Sequence, residues 1–352
     1  MRLLVLGGTV FVGRAVAAEA LRRGHEVVCA ARGESGSVPE GARLIKVDRD
    51  DPAGLADLPP VDAVVDVAPL SFPWVQRALA ALADRVAHWT FVSTISVYAD
   101  TATPGQTPAT GAVLAPLPRH ATRADLAGEG GTELYGGIKV AAENAVRAAL
   151  GDRAFVVRPG LITGPGDGSD RFGYWPARFT RGGRSGSGGS GGSDGSGGRD
   201  GRGGPVLVPT GERLAQYIDV RDLAAWIVTA FETGLSGTFD AIGPAVGLGK
   251  LLTDIASAVG AEAEFVTATD EQLEAAGVAP WSGPRSLPLW LPPSHAGLAA
   301  HDPAPSLAAG LEVRPLADAV AGALEQERAL GLDRERRSGL SVGEEAEVLA
   351  GL

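Results

Sequence analysis

The chain has 352 residues, 45% of them hydrophobic and 21% charged, a composition that excludes a disordered tail or a miniature scaffold. Its net charge of −11 argues against a general nucleic-acid binder, whose surface is basic, and no apolar run reaches the roughly 18 residues of a membrane span. A single cysteine, Cys29, excludes an internal disulfide and favours a reducing cytosol, and we expect no signal peptide before the first strand. These features predict a cytoplasmic protein with no membrane or nucleic-acid partner.

Short apolar runs alternate with helical stretches along residues 1–160, which is typical of a doubly wound parallel sheet. The predicted fold class is α/β, a Rossmann doubly wound parallel sheet with a smaller, mostly helical C-terminal substrate lobe. A first helix is predicted at 13–23, ending at Gly24, and another at 221–233; structure is mostly helical from Lys250 onward, apart from an irregular Pro-rich span at 280–305. Strands are predicted at 3–6, 26–30, 44–47, 63–67, 90–93, 155–157, 205–209 and 238–242.

The domain organisation follows from these elements and one change of composition. Residues 1–160 are predicted to form the Rossmann domain, to which 205–245 adds further strands and a helix. The segments 161–181 and 246–352 are predicted to form the substrate lobe. Residues 182–204 consist only of Gly, Ser, Arg and Asp, and a segment without apolar side chains cannot offset its ordering entropy. We therefore predict a disordered Gly/Ser-rich loop there.

A glycine-rich turn joins the first predicted strand to the first predicted helix. In a doubly wound sheet this is where a dinucleotide pyrophosphate meets backbone amides and a helix N-terminus. Gly7 permits the sharp turn, and Gly13 lets the helix lie close to the sheet. The turn could also be purely structural, but its strand–turn–helix context favours cofactor binding. The predicted cofactor contacts of this turn are Gly7, Gly8, Thr9, Phe11, Val12 and Gly13.

The end of the second predicted strand bears on the choice between NAD and NADP. An acid there would accept hydrogen bonds from the adenosine ribose, but the chain has Ala31 followed by Arg32. A guanidinium suits a 2′-phosphate, so this end of the strand favours NADP over NAD. Glu34 is the competing acid, and NAD stays open for that reason.

Tyr135 and Lys139 stand four residues apart, so on a helix they share one face. A phenol has an ordinary pKa near 10 and is a poor acid or base at neutral pH unless a nearby cation stabilises its phenolate. A lysine ammonium at this position would do so and could also bond the cofactor ribose. The alternative is an exposed pair with no role, although only three lysines occur in the chain.

The glycine turn, GGTVFVG, and the Tyr135–Lys139 pair together resemble the short-chain dehydrogenase/reductase superfamily, in its extended and atypical branches around the NAD-dependent epimerase/dehydratases. Val10 replaces the middle glycine of the family pattern. The resemblance implies Tyr135 as the catalytic acid/base and Lys139 as its activator. The stretch FVSTISVY at 91–98 resembles the family strand that carries the catalytic Ser or Thr, which places Thr94 in that role, with Ser93 and Ser96 as alternates.

Further segments carry the resemblance through most of residues 1–245. Arg158 opens RPGLITGPGD, which is similar to the family segment beside the nicotinamide, and QYIDVRD at 216–222 also matches. Asp48, in VDRDD, resembles the family position that binds the adenine amine, although a solvated acidic loop is the alternative. These segments, and the residue after the fourth strand, add four predicted cofactor contacts: Asp48, Ala68, Pro159 and Gly160.

The residues after Thr94 bear on the reaction. Sugar-nucleotide dehydratases of this branch carry an Asp-Glu pair there, whereas this chain has Ile95 and Ser96, which argues against dehydration. We expect NADPH-dependent reduction of a carbonyl on a small molecule. Two alternatives stay open: an epimerase of a sugar or nucleotide-sugar with tightly bound NAD, and a non-catalytic NAD(P)-binding protein.

The substrate pocket is predicted from the segment that follows the GPGD loop. Each candidate there has an alternative interpretation as a core aromatic or a solvated arginine, and Trp281 and Trp290 could form another wall. The five histidines show no metal-ligand spacing, so no metal site is predicted. The expected partner is a small-molecule substrate, and a homodimer is left open. The predicted substrate contacts are Ser96, Arg171, Tyr174, Trp175 and Arg178, with Phe172 beside them.

Overall fold

The computed structural model describes residues 1–51, 53–128, 130–182 and 204–352. The loop predicted at 182–204 lies outside the described residues except for its first and last positions. In chain order the strands are β1 (Arg2–Leu6), β2 (Glu26–Ala31), β3 (Arg43–Lys46), β4 (Ala63–Asp66), β5 (His88–Val92), β6 (Ala154–Pro159), β7 (Ile162–Thr163), β8 (Val206–Pro209), β9 (Leu214–Ala215), β10 (Ile218–Asp219), β11 (Gly237–Ala241), β12 (Val246–Gly247), β13 (Phe265–Ala268), β14 (Ala279–Trp281) and β15 (Ser286–Pro288).

Helices lie between many of these strands along the chain, as in an α/β fold. They are α1 (Phe11–Arg22), α2 (Phe72–Leu82), α3 (Gly131–Leu150), α4 (Tyr174–Gly182), α5 (Val220–Thr233), α6 (Leu248–Ala258), α7 (Asp270–Ala275), α8 (Ala304–Ala308), α9 (Leu316–Leu330) and α10 (Val342–Ala350). Short 3-10 helices occupy Ala83–Arg85, Ile95–Val97, Ala124–Leu126, Gly151–Arg153 and Pro293–Ala299. The predicted stop of the first helix is confirmed, since Gly24 follows α1 with a φ of +85° that favours glycine.

Seven strands of the described chain form one parallel sheet in the order β11-β6-β5-β4-β1-β2-β3. The predicted doubly wound α/β fold is therefore confirmed. The chain runs outward from β1 through β2 to β3 and then returns to place β4 on the other side of β1. Ligands of such folds bind outside the carboxyl ends of the strands where the order reverses, which here lies between β1 and β4.

Alternate residues of β1 face opposite sides of the sheet and bury two separate layers. Leu3 and Val5 pack with α1 and α5, whereas Leu4 and Leu6 pack with α2 and α3. None of these four side chains has any exposed surface. A strand buried on both faces reads as an unbroken apolar run, which is why the sequence LLVL predicts it clearly.

The chain divides into two compact units. The first comprises Met1–Ile162, Gln216–Pro244 and Gly297–Val313; the second comprises Thr163–Ala215, Ala245–Ala296 and Arg314–Leu352. The division differs from the predicted one in two places. At 205–215, β8 pairs in parallel with β13 inside the second unit and does not join the seven-stranded sheet. Gly297–Val313, predicted as part of the substrate lobe, belongs to the first unit. An apolar run predicts a strand locally, but its partner is decided by distant residues.

Among the described residues, no helix has the length and apolar content that crossing a membrane requires.

Candidate active site

The glycine turn after β1 is packed too tightly for side chains at its key positions. A β carbon on Gly13 would lie 2.4 Å from the carbonyl oxygen of Gly7, and one on Gly8 would lie 2.4 Å from Cys29 Sγ. Gly7 itself has a φ of +104° and donates its amide to the Ala30 carbonyl at 3.0 Å. These contacts hold the N-terminus of α1 against the end of β1.

The first turn of α1 is suited to an anion. Val10 is the N-cap residue, is extended and exposed, and its side chain accepts no hydrogen bond; the first turn carries no acidic residue. The initial amides of a helix carry partial positive charge and need acceptors, so a pyrophosphate fits this end. Phe11 has a φ of +37°, and Thr9 is buried, with its carbonyl against Gly36. Val12 is partly buried.

The predicted determinants of cofactor choice lie at the surface of the first unit. The side chains of Arg32 and Glu34 are 53% and 69% exposed, and Arg32 Nε lies 3.6 Å from a Glu34 carboxylate oxygen. A solvent-exposed pair at this distance is weak, so either group is available to a ligand. Asp48 is exposed and accepts the amide of Asp50 at 2.9 Å.

Lys139 lies in a fully enclosed position on α3. Its Nζ donates to the carbonyls of Ala68 and Val92, both at 2.7 Å, and lies 4.8 Å from the centre of the Phe91 ring. The ammonium also lies 5.9 Å from the centre of the Tyr135 ring. An ammonium has three hydrogens, so these two carbonyls leave one for a ligand such as a ribose hydroxyl. Burial lowers the pKa of Lys139 to about 8.

Thr94 stands at the carboxyl end of β5 and caps the 3-10 turn that follows. Its Oγ1 accepts the amide of Ser96 at 3.1 Å and donates to the Ser96 hydroxyl at 3.2 Å. Gly136, next to Tyr135 on α3, packs directly against the Ser96 carbonyl. The structure therefore brings the segments of Thr94 and Tyr135 into contact, as the predicted site requires.

A buried ion pair that the sequence pattern did not predict supports the same edge of the sheet. Glu143, one turn after Lys139, accepts Arg158 Nε at 2.9 Å and Nη2 at 2.7 Å. It also accepts the Ser93 hydroxyl at 2.6 Å, so Ser93 is bound to this carboxylate. The signal available in the sequence was an acid four residues after Lys139 on a buried helix face. The pair joins α3 to the ends of β5 and β6.

A second buried polar cluster continues from this ion pair. The Arg158 guanidinium lies 5.0 Å from the centre of the Tyr98 ring, and the Tyr98 hydroxyl donates to both carboxylate oxygens of Asp240 at 2.8 and 2.9 Å. His301 Nδ1 lies 3.1 Å from the same carboxylate. Burial and the Asp240 charge raise the pKa of the Tyr98 hydroxyl. Tyr98 is thus a structural donor and not an acid at neutral pH.

The predicted contacts beyond Arg158 lie at the end of β6. Pro159 is buried as the last residue of the strand, and the amide of Gly160 donates to the Ala241 carbonyl at 3.3 Å. A β carbon on Gly160 would lie 2.9 Å from the Ile242 side chain, so the chain passes close to the neighbouring strand there. Pro159 and Gly160 therefore lie at the carboxyl end of β6, the end of a parallel strand at which the cofactor is predicted to bind.

The predicted substrate contacts of the second unit are mostly core residues. Phe172, Tyr174 and Trp175 have no exposed surface, and Trp175 Nε1 donates to the Pro288 carbonyl at 3.1 Å. We therefore correct the prediction for Tyr174 and Trp175, because a side chain without exposed surface packs and does not line a cleft.

The two arginines of the predicted substrate set are also held within the second unit. Arg178 Nε pairs with Glu345 at 2.5 Å and its Nη2 donates to the Pro205 carbonyl at 2.8 Å. The Arg171 guanidinium lies 4.8 Å from the centre of the Trp281 ring. Arg178 thus has a structural partner for its charge. Within the residues that the structure describes, no three His, Cys, Asp or Glu side chains are grouped to hold a metal ion.

Comparison with known proteins gives a family and a fold. The model of the NAD dependent epimerase/dehydratase family matches residues 3–241 of the chain. No curated protein sequence matches it.

The three solved structures compared below are identical to this chain at fewer than one residue in four, so they show the fold alone. A UDP-glucose 4-epimerase from Thermus thermophilus in complex with NAD is 17% identical, with a TM-score of 0.60 over 94% of this chain and 100% of that one. A UDP-N-acetylglucosamine 4-epimerase from Bacillus cereus is 16% identical, with a TM-score of 0.61 over 93% and 99%. The Bordetella bronchiseptica enzyme WbmH in complex with NAD+ is 17% identical, with a TM-score of 0.60 over 93% and 98%.

Proposed function

The chain belongs to the NAD dependent epimerase/dehydratase family of the short-chain dehydrogenase/reductase superfamily, and we propose that it reduces a carbonyl group on a small molecule with NADPH. The observation that carries the proposal is the Lys139 ammonium, buried beside the Tyr135 ring with two of its hydrogens bound to Ala68 and Val92. A buried cation held this firmly can stabilise a phenolate and bind a ribose.

The chain's own residues divide the work of this reduction. When bound, the cofactor supplies the hydride that adds to the carbonyl carbon. Tyr135 donates its phenolic proton to the carbonyl oxygen, and the Lys139 charge stabilises the phenolate that remains until solvent reprotonates it. The Thr94 hydroxyl, which donates to Ser96 in this structure, turns its hydrogen to the same oxygen when substrate is bound and so orients the substrate. Gly7, Gly8 and Gly13 allow the α1 N-terminus to hold the pyrophosphate.

NADPH is proposed because β2 ends at Ala31 without an acid and Arg32 follows it at the surface. A 2′-phosphate would pair with that guanidinium and would be repelled by Glu34, so Arg32 must dominate if the proposal is correct. Arg32→Ala is then expected to weaken NADPH binding about tenfold and to leave NADH binding nearly unchanged. Stronger NADH binding by the unmodified protein would overturn the cofactor assignment.

The function is tested by a Tyr135→Phe variant assayed with carbonyl compounds and nucleotide sugars. The variant keeps the aromatic ring but has no proton to transfer, so we expect turnover to fall at least a hundredfold with cofactor affinity retained. Full turnover by Tyr135→Phe would contradict the assignment. A Tyr217→Phe variant changes a tyrosine with no lysine four residues on, and it serves as the matched control.

Epimerisation of a nucleotide sugar is a second candidate, favoured by the likeness of the fold to two UDP-sugar 4-epimerases. It needs Tyr135, Thr94 and a cofactor that stays bound while the hydride leaves and returns. NAD retained through dialysis, with no net NADPH oxidation, would favour this candidate over reduction. Ile95 and Ser96 stand where dehydratases of the family have their acids, so dehydration is not proposed. A homodimer and a cytoplasmic location stay predictions.

A further inference from the structure

We propose that Asp66 is a positioning residue for Lys139, acting through the backbone of Ala68, and that Arg49 holds Asp66 in place for this role. The inference rests on the proposed function, in which Lys139 activates Tyr135. Neither Asp66 nor Arg49 belongs to the predicted site, and both lie at the carboxyl edge of the sheet beside it.

The contacts form a continuous chain from Arg49 to Lys139. Asp66 ends β4 with no exposed surface, and its two carboxylate oxygens accept Arg49 Nη1 at 2.8 Å and Nη2 at 2.9 Å. Its Oδ1 also accepts the amide of Ala68 at 2.9 Å. The carbonyl of Ala68 then accepts the Lys139 ammonium at 2.7 Å. Asp66 therefore fixes the conformation of the residue that receives Lys139.

Arg49 is itself anchored, so the Asp66 carboxylate has little freedom to turn. Arg49 Nη2 donates to the Trp74 carbonyl at 2.9 Å, and its guanidinium lies 5.6 Å from the centre of the Trp74 ring. The carbonyl of Arg49 accepts Arg77 Nη1 at 2.8 Å. A bidentate pair that is bonded at both ends holds one geometry. Because Arg49 follows Asp48, this pair also joins the predicted adenine-side loop to β4.

Val67, which lies between Asp66 and Ala68, also contacts the glycine turn. A β carbon on Gly7 would lie 2.6 Å from the Val67 side chain, and the amide of Val67 donates to the Leu6 carbonyl at 3.3 Å. Residues 66–68 therefore contact the glycine turn through Val67 and the Lys139 ammonium through Ala68. A change in the position of Asp66 should therefore shift both the glycine turn and Lys139.

The charges of Asp66 and Arg49 predict the direction in which each substitution should shift the pKa of Lys139. The charged groups that act on Lys139 are Asp66 from β4, Glu143 from α3 and Arg49 from the loop after β3, and Tyr135 faces it from its own helix. The two carboxylates favour the protonated ammonium and Arg49 disfavours it. Removing Asp66 should therefore lower the pKa of Lys139, and removing Arg49 should raise it.

The experiment uses the scarcity of lysine in the chain. Lys46, Lys139 and Lys250 are its three lysines, so protein labelled with ¹³Cε,¹⁵Nζ-lysine gives three side-chain signals, and Lys139→Met identifies the third. We expect Asp66→Asn to move the titration midpoint of Lys139 down by about one pH unit and Arg49→Gln to move it up. Asp62→Asn, the same change at the amino end of β4, should leave the midpoint unmoved.

Opposite shifts show that the charges of Asp66 and Arg49 both act on Lys139. The positioning role is tested by the affinity for NADPH: Asp66→Ala, which leaves the Ala68 amide without its acceptor, should bind more weakly than Asp66→Asn, whose amide oxygen can still accept it. Equal affinity in these two variants would overturn the positioning role, and shifts of the same sign would overturn the assignment of the charges. If the Asp66 variants do not fold, a loss of NADPH affinity in Arg49→Gln that Asp62→Asn does not share supports the role, and unchanged affinity overturns it. The titration needs no substrate, so it is separate from the proposed function: if Lys139→Met keeps full cofactor binding and turnover, the proposed function fails while the assignment of the charges stands or falls on the titration.

Discussion

The carbonyl oxygen of Ser96 packs so closely on Gly136 that a β carbon on this glycine would lie 2.1 Å from it. The contact lets α3 approach the turn after β5, which sets Tyr135 and Thr94 on facing segments. A methyl group at this position must push the helix away from the turn, and the Leu114 side chain, 2.6 Å from the same position, blocks a sideways shift. The close approach of the segments that carry Thr94 and Tyr135 thus requires glycine at position 136.

Gly136→Ala is therefore expected to lower the free energy of unfolding by about 1–3 kcal/mol and to reduce turnover more than cofactor affinity. Thermal unfolding and steady-state kinetics measure the two effects. Gly249→Ala is the control, because Gly249 lies within α6 with no atom in the path of a β carbon, and alanine should stabilise that helix slightly. Unchanged kinetics in Gly136→Ala would show that the close approach is not needed.

Gly13→Ala should impair dinucleotide binding. Its β carbon would lie 2.4 Å from the Gly7 carbonyl and 3.2 Å from the Gly8 α carbon, so α1 must move away from the turn that would hold the pyrophosphate. We expect the affinity for NADPH and NADH to fall at least tenfold, measured by fluorescence of the bound reduced cofactor. Gly343→Ala, in a helix with open space around the glycine, should bind normally. Equal affinity in both variants would contradict this role.

Cofactor binding should weaken as pH rises through about 8. Burial lowers the pKa of Lys139 to about 8, so above that pH the folded protein loses the ammonium that we propose to bond the ribose. A hydrogen bond to a charged group contributes about 1.5–3 kcal/mol, which predicts a loss of affinity of about tenfold or more. Binding measured from pH 6.5 to 9.5 checks this. Lys139→Met should bind weakly throughout; a transition near pH 8 that persists in this variant would assign it to another group.

Substitutions in the buried Glu143–Arg158 pair should lower the free energy of unfolding more than a substitution at its partly exposed neighbour Arg147. Removing one partner of a buried ion pair costs about 3–5 kcal/mol, so Glu143→Gln is expected to be strongly destabilised in urea unfolding. Arg147→Gln removes the exposed partner of the same carboxylate and should cost at most about 1 kcal/mol. A Glu143→Gln/Arg158→Met double variant should recover stability relative to Glu143→Gln, and additive losses would argue against a coupled pair.

The same pair predicts a dependence on acid. Burial alone would raise the pKa of Glu143, but the hydrogen bonds and charge of Arg158 outweigh it and hold the pKa below the ordinary value of 4.5. A carboxylate with a lowered pKa stabilises the fold above its unfolded pKa and loses that contribution as pH falls through its folded pKa. The unmodified protein should therefore lose stability below about pH 4.5 more steeply than Glu143→Gln.

Local patterns in the sequence were sufficient for the elements and for the residues that act through their immediate neighbours. The apolar runs predict β1 to β6 because parallel strands are buried on both faces, and Gly24 ends α1 because only its own φ is involved. Tyr135 and Lys139 lie together because four residues make about one turn of α3, so their relationship needs no tertiary contact.

Only the tertiary structure decided which polar groups surround Lys139 and which aromatic residues are core. Asp66 meets Arg49 and Glu143 meets Arg158 across different elements, and Tyr98 meets Asp240 from 142 positions away, so no local pattern could pair them. Tyr174 and Trp175 follow a loop that resembles a cleft margin, yet the packing of the second unit leaves them no exposed surface. A side chain's type and spacing limit what it can do chemically, whereas its burial and its partners depend on residues far along the chain.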